Sequence, residues 1–265
     1  MNKFLEVAVD AARQAGSILR TEFDRPKQIS YKGEVDIVTE SDRRSEALIV
    51  SRLRAEFPDH GIVAEEGGTG AAAGAKYCWH VDPLDGTTNF AHGYPCFAVS
   101  MGLLENGEPV AGVVFNPYSN ELFTAARGEG AFLNQKPIHV SRVEKLAESL
   151  VCTGFPPKHR RSSINMNYYW EFTLRSHGVR RDGSAALDLC AVACGRFEAF
   201  WEFGLSSWDT AAGILLVTEA GGRVTDLSGQ PYHPGSREVL ATNGHIHAEM
   251  RDVIAEIAGK PVKAL

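Results

Sequence analysis

Val81-Asp82-Pro83-Leu84-Asp85-Gly86-Thr87-Thr88-Asn89-Phe90 decides how this chain is read. The residues before it, Cys78-Trp79-His80-Val81, are apolar enough for a buried strand. Pro83 and Gly86 interrupt regular structure, and Thr87 or Thr88 can open a helix. Two carboxylates therefore leave a strand end together, beside a turn with free backbone N–H groups. Hard divalent cations take oxygen ligands of that kind. A helix start favours an anion such as phosphate. One segment offers both, which points to metal-assisted phosphate chemistry.

Further acids stand in similar positions. Glu65 follows the short strand pattern Ile62-Val63-Ala64, and Asp209 precedes an Ala- and Leu-rich helical segment. Carboxylates at the ends of rigid elements can converge on one point, and like charges so placed need a cation between them. Each has a plainer reading as well. Ser206-Ser207-Trp208-Asp209 fits a capping box, Glu65-Glu66 fits a solvated turn, and Asp82-Pro83 fits a strand-ending turn. Glu202 interrupts the apolar run Phe200-Trp201-Glu202-Phe203, so a buried acid is expected there, with Arg180 or Arg181 as a structural partner.

Outward from these points the chain alternates. Phe4, Ala8, Ala11, Ala15, Ile18 and Leu19 recur at helical spacing up to Pro26. Residues 27–38 are polar and β-leaning, and Thr39-Glu40-Ser41-Asp42 resembles a capping box before a helix ending near Phe57-Pro58. Residues 69–75 are almost all Gly and Ala and form the candidate mobile loop, with residues 32–35 as a second mobile stretch. Turn signals at Asn106-Gly107, residues 116–120 and residues 127–130 predict an antiparallel meander. Beyond Val143, residues 184–193, 210–220 and 245–257 read as helices, and residues 197–203 and 239–242 as strands. No linker or repeat is visible, so one domain over 1–265 is expected, with halves at 1–145 and 146–265. Two sheet layers with helices between and around them fit this order.

At 44% hydrophobic and 23% charged, with a net charge of −6 and no long basic block, the composition suits a soluble protein and argues against nucleic acid as substrate. No stretch approaches a membrane span, and five cysteines without a Cys-x-x-Cys pair read as free thiols, so a cytoplasmic location is expected. Cys190 and Cys194 share a helix face and read as core, His245 and His247 as an exposed helix cap, and His92 as a packing or surface residue.

Five blocks taken in order resemble the inositol monophosphatase family. They are residues 35–42, Glu65-Glu66, residues 82–90, residues 183–188 and residues 208–213. The resemblance implies an α+β fold of the sugar-phosphatase type. It is a layered αβαβα sandwich with an antiparallel first sheet and a mixed second sheet. It also implies a homodimeric, lithium-sensitive, magnesium-dependent phosphatase for a small phosphorylated polyol or sugar, inositol 1-phosphate above all. Rivals are a sugar- or histidinol-phosphate phosphatase of the same fold, or a non-catalytic regulatory protein that keeps it.

By the same resemblance, two to three Mg²⁺ ions would bind. Glu65, Asp82 and the Leu84 carbonyl would hold the first, and Asp82, Asp85 and Asp209 the second. A third would lean on Glu65. Thr87 and Asp36 would orient and deprotonate the attacking water, and the Gly86 and Thr87 N–H groups would cradle phosphate. Asp85, Gly183, Ser184, Ala185, Glu202 and Asp209 would meet the polyol, with Lys32 and Arg180 nearby. Thr88 stands where relatives acting on nucleotide bisphosphates commonly carry lysine, which favours inositol-type monophosphates. Ala64 and Gly67-Gly68 depart from the usual residues around Glu65, and the spacing from Lys32 to Asp36 is one residue short of some members.

Overall fold

The computed structural model describes residues 2–25, 29–31, 37–67, 74–155 and 163–260. Among them, two helices open the chain, α1 (Lys3–Phe23) and α2 (Glu40–Glu56). The first buries a stripe of Leu5, Ala8, Ala11, Ala12, Ala15 and Leu19, and Asn2 caps it by accepting from the Leu5 N–H at 3.0 Å. The second starts at the capping box read from Thr39 and Asp42. A short antiparallel pair, β1 (Ile29–Tyr31) and β2 (Ile37–Thr39), lies between them.

Seven strands then form one sheet in sequence order. They are β3 (Gly61–Ala64), β4 (Tyr77–Asp85), β5 (Ala98–Glu105), β6 (Glu108–Asn116), β7 (Glu121–Ala126), β8 (Gly130–Leu133) and β9 (Lys136–Ile138). The predicted hairpins link β5 through β8 antiparallel. The sheet is not antiparallel throughout, however: β3 pairs with β4 in parallel. The long connection between them, residues 65–76, has the length a parallel pair needs.

The second sheet is mixed, as expected, in the order β11-β10-β12-β14-β13. Its strands are β10 (Leu150–Thr153), β11 (Gly178–Arg180), β12 (Ala199–Phe203), β13 (Arg223–Thr225) and β14 (Glu238–Thr242). Between the sheets run α5 (Ala185–Ala193) and α6 (Ser207–Glu219), while α4 (Asn165–Arg175) and α7 (His247–Ile257) cover the outer face.

Three apolar clusters establish the layering. Trp79, Val81, Met101 and Val113 pack one face of the first sheet on α1 and α2. Val114, Phe123 and Ala125 on its other face share a core with Leu189, Leu216, Phe200 and Ala241. Trp201, Leu240 and Val151 on the far side of the second sheet meet Phe172 and Met250. Five layers result, αβαβα. A short α3 (Thr87–Ala91) caps the end of β4.

The central helix layer sits close because the sheet offers glycine to it. A Cβ on Gly102 would stand 2.5 Å from Ala211 Cβ and 2.8 Å from the Ala211 carbonyl carbon and the Ala212 nitrogen. Since the obstacle is backbone, Gly102→Ala should destabilise the fold by about 1–3 kcal/mol. A urea midpoint equal to the parent's would contradict this.

Two expectations change with the structure. Pro83 does not end β4, which continues to Asp85 through a register shift between Asp82 and Asp85. A bulge is where a strand tolerates proline. His247 is not an exposed cap; it is fully buried, with Nε2 3.1 Å from Thr225 Oγ1 and Nδ1 3.0 Å from Thr242 Oγ1. His245 is exposed and Cys190 is core. Among the described residues, no helix is long and apolar enough to cross a membrane. Lys32, Asp36 and most of the glycine–alanine loop (residues 69–73) lie outside the described residues.

Candidate active site

The last residues of β4 carry the site. Asp82 is almost fully buried, and its Oδ1 accepts the Leu84 N–H at 3.0 Å, a bond made across the bulge. Burial, then repulsion from Glu65, Asp85 and Asp209, pushes its carboxyl well above the ordinary range. Glu65 reaches this group from the end of β3, where its N–H donates to Val81 O at 3.3 Å. The turn after it is held by Glu46 of α2, whose Oε2 accepts the Glu66 N–H at 2.7 Å.

Asp209 arrives from the first turn of α6. It is the capping-box acid as well: its Oδ2 accepts the Ser206 N–H at 2.7 Å. Burial, then repulsion from Asp85 and from Glu65, lifts Asp209 to about 8. The two readings of Asp209 are therefore compatible: it caps the helix and stands among the acids.

Asp85 is held by the second half of the chain. Its Oδ2 accepts the Ser184 hydroxyl at 2.5 Å and the Ala186 N–H at 2.8 Å, both at the start of α5. Burial outweighs these bonds and lifts the carboxyl to about 6. Gly86 follows with φ +88°, where a Cβ would stand 2.8 Å from Cys96 O; only glycine fits such a turn. Thr87 then opens α3, as read from the sequence.

Glu202, on β12, is buried as expected, and burial, then Asp209, lifts it to about 8. The arginine that offsets this is Arg181, which also acts on Asp188. Arg180 is exposed and its guanidinium lies beside Gly178 of its own strand. Ser184 caps α5 while Ala185 begins it, so Asp85, Ser184, Ala185, Glu202 and Asp209 share one region.

Two residues were not singled out from the sequence. Asp42 is fully buried; its Oδ2 accepts from Thr39 and its Oδ1 lies 3.0 Å from the Thr87 hydroxyl. That hydroxyl is also 2.9 Å from Leu84 O. Asp42 is thus a described carboxylate beside Thr87, and its reading as a capping acid concealed the role of its second oxygen. Asn89 is the other. Its Nδ2 donates to Cys96 O and Asp182 O, both at 2.7 Å, tying α3 to the approach of α5. A side-chain amide four residues after Asp85 in a tight turn was the available signal.

Among the described residues no three His, Cys, Asp or Glu side chains already enclose a common point at ligand distance. The acids are nonetheless close enough to repel one another.

Comparison with known proteins gives one answer. The inositol monophosphatase family matches residues 1–259. An inositol-1-monophosphatase of Synechocystis is 46% identical, covering 96% of this chain and 90% of that protein. The Nus factor SuhB of Pseudomonas aeruginosa is also 46% identical, over 94% of this chain and 92% of its own. The solved structure of an inositol monophosphatase from Anabaena (Nostoc) superposes with a TM-score of 0.87 at 43% identity, covering 96% of this chain and 95% of that one. With the layered fold and the acid-lined end of β4 in place, this chain belongs to the inositol monophosphatase family and is a phosphoric monoester hydrolase.

Proposed function

We infer that the chain hydrolyses a small phosphorylated polyol or sugar, inositol 1-phosphate foremost, with Mg²⁺ as its cofactor. The observation that carries this is Asp82, a buried carboxyl repelled by Glu65, Asp85 and Asp209. Carboxyls gathered this closely form the arrangement that a hard cation stabilises. Glu65, Asp82, Asp85, Asp209 and the Leu84 carbonyl form an all-oxygen donor set that suits Mg²⁺. When bound, the cation supplies positive charge against the phosphate and acidifies water.

The chain's own residues do the rest. The Thr87 hydroxyl, set between Leu84 O and Asp42 Oδ1, orients the attacking water and passes a proton towards Asp42. Asp42 is proposed in this role beside Asp36, which lies outside the described residues. The N–H groups of Gly86 and Thr87 face the phosphate, and Ser184, Ala185 and Glu202 meet the polyol. Glu202 is largely protonated near neutral pH, so it can donate a hydrogen bond to a substrate hydroxyl as well as accept one.

Phosphate release from a panel of esters with excess Mg²⁺ tests this reading. Inositol 1-phosphate should be turned over best, and lithium should inhibit on the order of tens of millimolar. A preference for histidinol phosphate would overturn the substrate assignment. The name borne by the Pseudomonas relative raises a second reading, a regulatory binding role alongside the fold; failure to release phosphate from any ester would favour it.

A further inference from the structure

His80 stands two residues before Asp82 on β4, so both side chains leave the same face of the sheet. Ser207 stands two residues before Asp209, in the first turn of α6. His80 Nδ1 and Ser207 Oγ lie 2.7 Å apart. One hydrogen bond therefore joins the strand carrying Asp82 to the helix carrying Asp209, close to the acids on both sides. Among the described residues it is the only side-chain hydrogen bond from β4 to α6.

The rest of this seam is closely packed but has few hydrogen bonds. Ser100, opposite Asp82 in the ladder, reaches Trp208 O only at 3.5 Å. Gly102, opposite His80, presents no side chain to the helix at all. Against these ties act the mutual repulsions of Asp82 and Asp209 with their acidic neighbours. The polar partner that the half-buried His80 imidazole finds here is the Ser207 hydroxyl.

We propose that His80 and Ser207 form a clamp that sets the spacing of Asp82 and Asp209 and thereby tunes affinity for the divalent cation. Both are positioning residues, and neither meets the substrate. The inference rests on the reading of these acids as cation ligands.

Calorimetric titration of Mg²⁺ into the metal-stripped full chain tests it. His80→Leu and Ser207→Ala should each weaken binding about tenfold, the scale of lost ligand support. The double variant should be no weaker than the worse single one, because one bond is lost in all three. His80→Asn should stay within about threefold of the parent, since its amide occupies the place of Nδ1. The metal-free melting midpoint of Ser207→Ala should stay near the parent's, separating a clamp from a packing role. Unchanged Mg²⁺ affinity in both single variants, or losses that add, would overturn the clamp and leave the cation site standing. A parent chain that bound no Mg²⁺ would overturn the cation reading and the clamp with it. Should His80→Leu fail to fold, Ser207→Ala and His80→Asn decide the matter.

Discussion

Asp82→Asn is expected to lower kcat by at least about a thousandfold while leaving the metal-free fold as stable as the parent or more so. The two halves of this expectation come from the same contacts. An amide keeps the shape of the side chain, and its oxygen can still accept the Leu84 N–H that Asp82 Oδ1 accepts now. It cannot ionise against Glu65, Asp85 and Asp209. The native state then neither buries a charge there nor holds a proton that the unfolded chain releases, so it gains. The substitution also removes a carboxylate proposed to hold the cation, so turnover is lost. Most substitutions of a buried charged residue cost stability and activity together. A variant that gives up only activity marks an acid retained for chemistry. Phosphate release and thermal melts of the metal-free variant check both halves. Turnover within tenfold of the parent, or a melt well below it, would remove Asp82 from the proposed role.

The local pattern around Asp82 was legible because each piece obeys a short-range rule. The apolar run before Asp82, the glycine at position 86 and the helix-opening Thr87 are all decided within a few residues. The same holds for the capping boxes at Thr39 and Ser206 and for the hairpins of the meander. What was not legible depends on partners far along the chain. Nothing near Asp42 announces Thr87, nor does anything near Asp85 announce Ser184; those bonds exist only once α2 and α5 are stacked on the end of β4. The parallel pairing of β3 is a choice of sheet edge rather than of propensity. His247 reads as a helix cap until two threonines from different strands close over it. The family resemblance supplied the convergence of Glu65, Asp82, Asp85 and Asp209, which spacing alone left open.

Stability should respond to pH in a way that depends on the cation. In the metal-free protein, Asp85 is lifted to about 6, Glu202 and Asp209 to about 8, and Asp82 and Asp188 well above the ordinary range, in each case chiefly by burial. A raised carboxyl means that the folded chain holds a proton the unfolded chain has released. The stability this gives is full below about pH 4 and is lost as pH rises through the folded values. His80 and His247 act in the opposite sense. Burial pushes both down to about 4, so between there and their usual value near 6.5 the unfolded chain binds the extra protons, and stability rises with pH. Below about pH 6.5 the two effects oppose each other, whereas above it the histidines no longer contribute and the acids act alone. The informative window is thus pH 6.5 to about 8.5, below the range where buried Cys152 and Cys190 add a loss of their own. Across it the metal-free melting midpoint should fall by at least about 5 °C. Saturating Mg²⁺ should flatten the fall, because a cation bound to the ionised acids favours the folded state most where the protons are gone. Asp82→Asn should flatten it without any metal, since part of the repulsion is already absent. Melting curves at several pH values, with and without Mg²⁺, separate these cases. A midpoint that fell equally in both conditions would mean that the cation does not bind at these acids.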